Sequence, residues 1–138
     1  MENSVIPMDN SPESIKVRKQ IIYEFYQKWK SANPLMRRYN FSLKGNINIR
    51  HISIDETSTH ASKRYLSTLA VMQLDSILSY AVRKKTVQRK QNKKNQKMFE
   101  KMIIMDYECP GIGHVKLTVG VRKVTHEKIQ YCITALGI

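Results

Sequence analysis

Residues 115–135 read VKLTVGVRKVTHEKIQYCITA, two runs of period two about a short polar break. In the first run Val115, Leu117, Val119 and Val121 alternate with Lys116, Thr118 and Arg122. In the second, Ile129, Tyr131, Ile133 and Ala135 alternate with Gln130, Cys132 and Thr134. Side chains on a strand point to opposite faces in turn, so each run predicts a half-buried strand. A three-residue hairpin loop, Thr125-His126-Glu127, pairs Val124 with Lys128, Arg122 with Gln130 and Thr118 with Thr134. That register puts every apolar residue of both strands on one face. Upstream, Met102–Glu108 is a third apolar run, turned by Cys109-Pro110-Gly111. The expected unit is a three-strand antiparallel meander.

Helical periods lie further upstream. Ser11-Pro12-Glu13 is a helix start, with a side-chain cap followed by proline at the first helical position. Ile22, Phe25, Tyr26 and Trp29 recur at the spacing of one helix face, and Asn33-Pro34 ends it. Residues 36–54 read as extended around Ile47, Ile49, Ile52 and Ile54, with a slip of register near Arg50-His51. Asp55, Thr57 and Ser58 offer caps for a second helix over about 58–82, where Leu66, Ala70, Leu74, Ile77 and Ala81 make an apolar stripe. The fold class that follows is α+β, in one domain over 11–138, with both helices on one sheet face and a disordered lead-in over 1–10.

The chain has 138 residues, 24 of them Lys or Arg against 11 Asp or Glu, for a net +13. Most of that excess sits in one tract. Arg83, Lys84, Lys85, Arg89, Lys90, Lys93, Lys94 and Lys97 lie within fifteen residues that hold no acid. Such a run predicts a flexible basic insert at 83–97 whose field suits a polyanion, with nucleic acid as the expected partner. No stretch is apolar enough to span a bilayer, so a membrane partner is not expected. The opening MENSVIPMDNSPES has neither the basic nor the apolar region of an export signal, and two cysteines make no disulfide framework. A reducing, cytoplasmic setting is the expectation.

Conventional catalytic motifs are missing. No glycine-rich loop runs into Lys-Ser or Lys-Thr, and Cys109, Cys132 and the four histidines lack metal-ligand spacing, so neither metal nor cofactor is expected. One cluster remains. His60 falls in the expected first turn of the second helix, with Lys63 and Arg64 at i+3 and i+4. Lys63 extends the apolar stripe one turn back and so should aim at the sheet edge. Metal-free RNA cleavage needs a base for the 2′-hydroxyl, an acid for the leaving oxygen and cations for the phosphorane, roles that His, Lys and Arg can fill.

From His51 onward the layout resembles the RelE-like nuclease modules of a phage-encoded group in the Barnase–EndoU–ColicinE5/D–RelE superfamily. The similar pieces are Ile52-Ser53-Ile54 leading to Thr59-His60, the helix containing Leu69 to Ala81, and the hairpin Val115–Val119 with Ile129–Ile133. The whole chain also resembles small proteins of Bacteroidetes genomes and their mobile elements. The superfamily resemblance implies two helices against an antiparallel sheet and a metal-independent endoribonuclease acting on RNA rather than DNA. It implies His60, Thr118 and Thr134 as site residues and an antitoxin or other protein as a partner. Two further readings stand beside it. In one, Lys116, Thr118, Arg122, Gln130 and Thr134 join the basic tract in binding nucleic acid without cleavage. In the other, the domain is a protein-interaction module. The polar strand positions carry no aromatic residues on which bases would stack.

Overall fold

The computed structural model describes residues 5–137. In chain order they form α1 (Pro12–Ala32), β1 (Arg37–Asn40), β2 (Gly45–Asn48), α2 (His51–Ala61), α3 (Tyr65–Val71), α4 (Leu74–Tyr80), β3 (Val82–Gln88), β4 (Phe99–Cys109), β5 (Gly113–Arg122) and β6 (Lys128–Gly137). The α+β class holds, and the meander β4–β5–β6 is the middle of a larger sheet. Six strands run in the order β1-β2-β6-β5-β4-β3, antiparallel except for a parallel contact between β2 and β6 at Asn48 and Ile129.

The hairpin register differs from the expected one. Val124 takes a φ of 69° and His126 of 61°, left-handed conformations that no strand residue adopts. So β5 stops at Arg122, the loop lengthens, and Val121 pairs with Lys128. A bulge after Thr118 then sets Thr118 opposite Cys132 and Lys116 opposite Thr134. The bulge also switches faces within β6. Ile133 and Ala135 join the main core with Val115, Leu117, Val119 and Val121, whereas Ile129 and Tyr131 join a smaller cluster with Phe99 and Met102. Gly120 is where this second cluster meets β5: a Cβ there would lie 2.6 Å from the Phe99 ring.

α1 forms as its sequence signals indicate. Ser11 caps it through a bond from Ser14 N, and Ile22, Tyr26 and Trp29 are buried on its inner face. Of the expected disordered lead-in, residues 1–4 lie outside the described residues. In the remainder, the buried Arg18 donates to the carbonyls of Pro7 and Asp9 and to Asn10 Oδ1. Asp9 accepts from Ser14 and from Ser11 N, and these bonds hold its carboxyl down at about 2.

The single helix expected over 58–82 is three. Ile52 and Ile54, read as extended, are helical and reach different clusters, Ile52 the smaller and Ile54 the main one. Ser53 Oγ accepts from Arg50 N and closes the start of α2. The chain breaks at Ser62–Arg64, where the freed carbonyls are taken up: Ser62 O by Arg18 Nε and Ala61 O by the Thr68 hydroxyl. Ala70, Leu74, Ile77 and Ala81 are fully buried as the stripe requires. Lys63 lies in the break, not on a continuous helix, and is exposed.

Candidate functional site

α1, α3 and α4 share the main core with one face of the meander. On the other face the sheet is the floor of a cleft of about 280 Å³. Met102 and Ile104 of β4, Lys116 and Thr118 of β5, and Cys132 and Thr134 of β6 make that floor. Glu56 and His60 of α2 form one wall. Val87, Gln88, Lys90, Lys93 and Gln96 form the other.

α2 stands at the edge of β6 because side chains fasten it there. Gln130 Nε2 donates to Thr57 Oγ1 at 2.7 Å, and its Oε1 accepts from Tyr26 OH at 2.7 Å, a wholly buried chain linking α1, α2 and β6. Burial raises the Tyr26 phenol well above its ordinary value. The Cys132 thiol donates to Glu56 O, and Ser67 Oγ accepts from Ala135 N, so the edge of β6 is covered. Gln130 therefore faces the core, not a polar sheet surface.

The opposite wall is the basic tract, expected as a flexible insert. Its first half is β3, hydrogen-bonded to β4 at the sheet edge. Its second half is a turn with a short 3-10 segment over Lys94–Gln96. Two amides anchor this turn. Gln96 is buried and its Oε1 accepts from Lys90 N at 2.7 Å. Asn95 donates to Glu56 Oε2 and accepts from Tyr131 OH at 3.0 Å. Asn95 thus ties the loop carrying Lys90 and Lys93 to the helix carrying His60.

Glu56 and His60 are one helical turn apart, with Oε1 3.3 Å from Nε2. That oxygen is fully buried and receives no aligned hydrogen bond. Burial first, then the Glu56 charge, pushes the Cys132 thiol up to about 11, while Lys116 and Lys93 pull it down. Both lysines line the cleft beside it. Burial likewise raises the Tyr131 phenol. Chemically the cleft combines one imidazole beside a carboxylate, three ammonium groups, two threonine hydroxyls and the apolar side chains of Met102 and Ile104.

Of the residues singled out from the sequence, His60, Lys116, Thr118, Thr134, Lys90 and Lys93 meet in this cleft. Lys63 and Arg64 do not. They border a separate hollow on the far side of His60, with Ser67 and Leu136, because the helix breaks before them. Lys84, Lys85, Lys94 and Lys97 are exposed on the basic edge and Arg89 is half-buried there. Arg83 lines another depression, with Lys101 and Lys128. Arg122 stands 3.8 Å from Glu127, which also pairs with Arg50. His114 is held by Asp106 at 2.9 Å and Glu108 at 3.5 Å, outside the cleft. Reading residues 51–54 as extended hid Glu56, whose i, i+4 spacing to His60 becomes meaningful only once α2 starts at His51.

Among the described residues no helix is long and apolar enough to cross a membrane, and no group of three or more His, Cys, Asp or Glu could hold a metal ion. No family model matches the chain, and neither any curated protein nor any solved structure does.

Proposed function

We propose that the protein binds RNA in the cleft between α2 and the basic edge and cleaves it without a metal ion. The observation that carries this reading is the convergence of His60 with Lys116, Lys90 and Lys93 over one open sheet surface. A phosphodiester there meets three cations, which offset the charge that builds on a phosphorane. His60, neutral on one nitrogen, takes the proton of a 2′-hydroxyl. The 2′-oxygen bonds to phosphorus, the bond from phosphorus to the 5′-oxygen breaks, and water at the open mouth returns a proton to that oxygen. Glu56 holds the imidazolium that forms. Thr118 and Thr134 donate to the non-bridging oxygens.

A second reading, binding without cleavage, is favoured by one fact. Among the described residues no second imidazole lines the cleft, and His114 on β5 is held by Asp106 and Glu108. Labelled RNA incubated with wild type and His60→Ala in EDTA decides between them. Cleavage to a 2′,3′-cyclic phosphate that falls at least about a hundredfold in the variant supports the nuclease. A salt-sensitive mobility shift without cleavage leaves the binding reading. No shift and no cleavage end both.

A further inference from the structure

Three exposed aromatic rings stand together at the other end of β3. Tyr39 and Phe41 meet edge to face with centroids 5.3 Å apart, and Phe41 and Tyr80 stack at 5.5 Å with an interplanar angle of 19°. They are 45%, 58% and 59% exposed, and Val82 beside them is 59% exposed. The core does not claim these rings. Isolated exposed apolar residues need no explanation, but a contiguous stack of aromatic faces open to water is a binding feature.

The surroundings are cationic. Ser42, next to Phe41, accepts from Arg83 N at 3.0 Å, which brings the aromatic turn against the start of the basic strand. The adjoining depression, about 410 Å³, is lined by Arg83, Lys101, Lys128 and His126, and no Asp or Glu lines it. Flat rings beside an acid-free cationic hollow complement an unpaired base and its phosphate. A protein partner would need a larger apolar face and would not need the cations.

From this we infer that Tyr39, Phe41 and Tyr80 are a stacking platform for a single-stranded RNA segment, with Arg83, Lys101 and Lys128 on its phosphates. The inference rests on the RNA reading of the cleft and extends it. β3 runs from Val82 at the platform to Gln88 at the cleft wall, ~20 Å at a strand's rise per residue. Lys84 and Lys85 lie along that path. The depression, lined by Ile103 and Val121, and the cleft, floored by Met102 and Ile104, open on opposite faces of the sheet, so the RNA crosses the β3 edge between them. At the ~3.4 Å per nucleotide of a helical strand that takes at least about six nucleotides. The protein therefore selects unpaired RNA long enough to bridge them.

The experiment uses 2′-O-methyl oligouridines, which lack the nucleophilic hydroxyl and stay intact, as a dodecamer and a trimer followed by fluorescence anisotropy. The double variant Phe41→Ala, Tyr80→Ala should weaken the dodecamer at least about tenfold, leave the trimer unchanged and leave the salt slope unchanged, because stacking carries no charge. Phe41→Trp should retain dodecamer affinity. Equal dodecamer affinity for wild type and double variant overturns the platform. So does a concentration-dependent dimer that the double variant abolishes, which makes the rings a protein contact. The paired variant Lys93→Ala, Lys116→Ala separates the two proposals: if it binds both oligomers as wild type does while the stack variant fails, the cleft reading falls and the platform stands. Wild type that binds neither oligomer ends both.

Discussion

Along β6, which β2 pairs at one position only, the outer side of the meander is covered by protein. Ser67 accepts from Ala135 N, Cys132 donates to Glu56 O, and Gln130 joins Tyr26 to Thr57 without exposure to water. Along β3 the outer edge faces solvent, and only Val87 of its seven residues is even half-buried. An open edge invites pairing with another chain, and lysines are a common defence. Arg83, Lys84 and Lys85 fill that role, which explains why so much charge sits on an ordered strand. The comparison shows that the two sides of the meander are closed differently, one by bonding and one by charge, and only the second leaves a surface that polyanions can use.

The bonded flank should break most severely at its centre. Gln130→Ala leaves the Tyr26 and Thr57 hydroxyls buried without their partner and opens a void, at a cost of about 3 kcal/mol. Urea unfolding should show that loss with little change in slope. A loss under about 1 kcal/mol would mean that α2 is held by apolar contacts alone. The two edges would then differ less than their hydrogen bonds suggest.

A pH titration sharpens the same contrast. The Cys132 thiol is raised from 9.0 to about 11, so the fold favours the neutral thiol. Its contribution to stability is whole below pH 9.0 and is lost as pH rises from 9.0 to about 11. Alkylation follows the thiolate, so iodoacetamide at pH 8 should react with Cys132 about a hundredfold more slowly than with an unshifted thiol. The rate should climb about tenfold per pH unit until it levels near 11. Rapid alkylation at pH 8 would show the β6 flank opening on the timescale of the reaction.

The same two flanks mark where the sequence is readable. Period two in 115–121 and the face Ile22, Tyr26, Trp29 were legible because one buried surface dictates one period. In β6 the alternation from Ile129 to Ala135 looked equally regular but concealed a bulge, since the residues on both sides of it are apolar for different clusters. Ile52 and Ile54 misled for a related reason: α2 lies between two clusters, so its apolar residues do not form one stripe. The cleft was half legible. His60 stood out by chemistry, and Lys116, Thr118 and Thr134 by strand position, while Lys63 depended on a helix that ends at Ala61. Asn95 and Gln96 carried no signal at all, because amides in a basic run look like solvated filler until their partners Glu56, Tyr131 and Lys90 are placed around them. Phe41 and Tyr80 are far apart in sequence, and bonds between their segments bring the rings together, among them Phe41 N to Ser79 O and the buried Asn40 amide to Leu78 O and Ala81 O.

The smallest expected effect on stability is also the one that isolates charge from structure. Lys84 and Lys85 are exposed on β3 and enter none of the side-chain bonds that anchor the tract. Replacing both by alanine should move the unfolding midpoint by no more than about 0.5 kcal/mol equivalent. If the open edge is a phosphate track, the same pair must matter for RNA. Each phosphate contact on a single strand contributes about 0.7 to the slope of log affinity against log salt, so losing two lowers that slope by about 1.4. An unchanged slope assigns the two lysines to edge protection alone. The double variant should then self-associate more readily than wild type as its edge loses repulsion, which sedimentation at rising concentration would reveal.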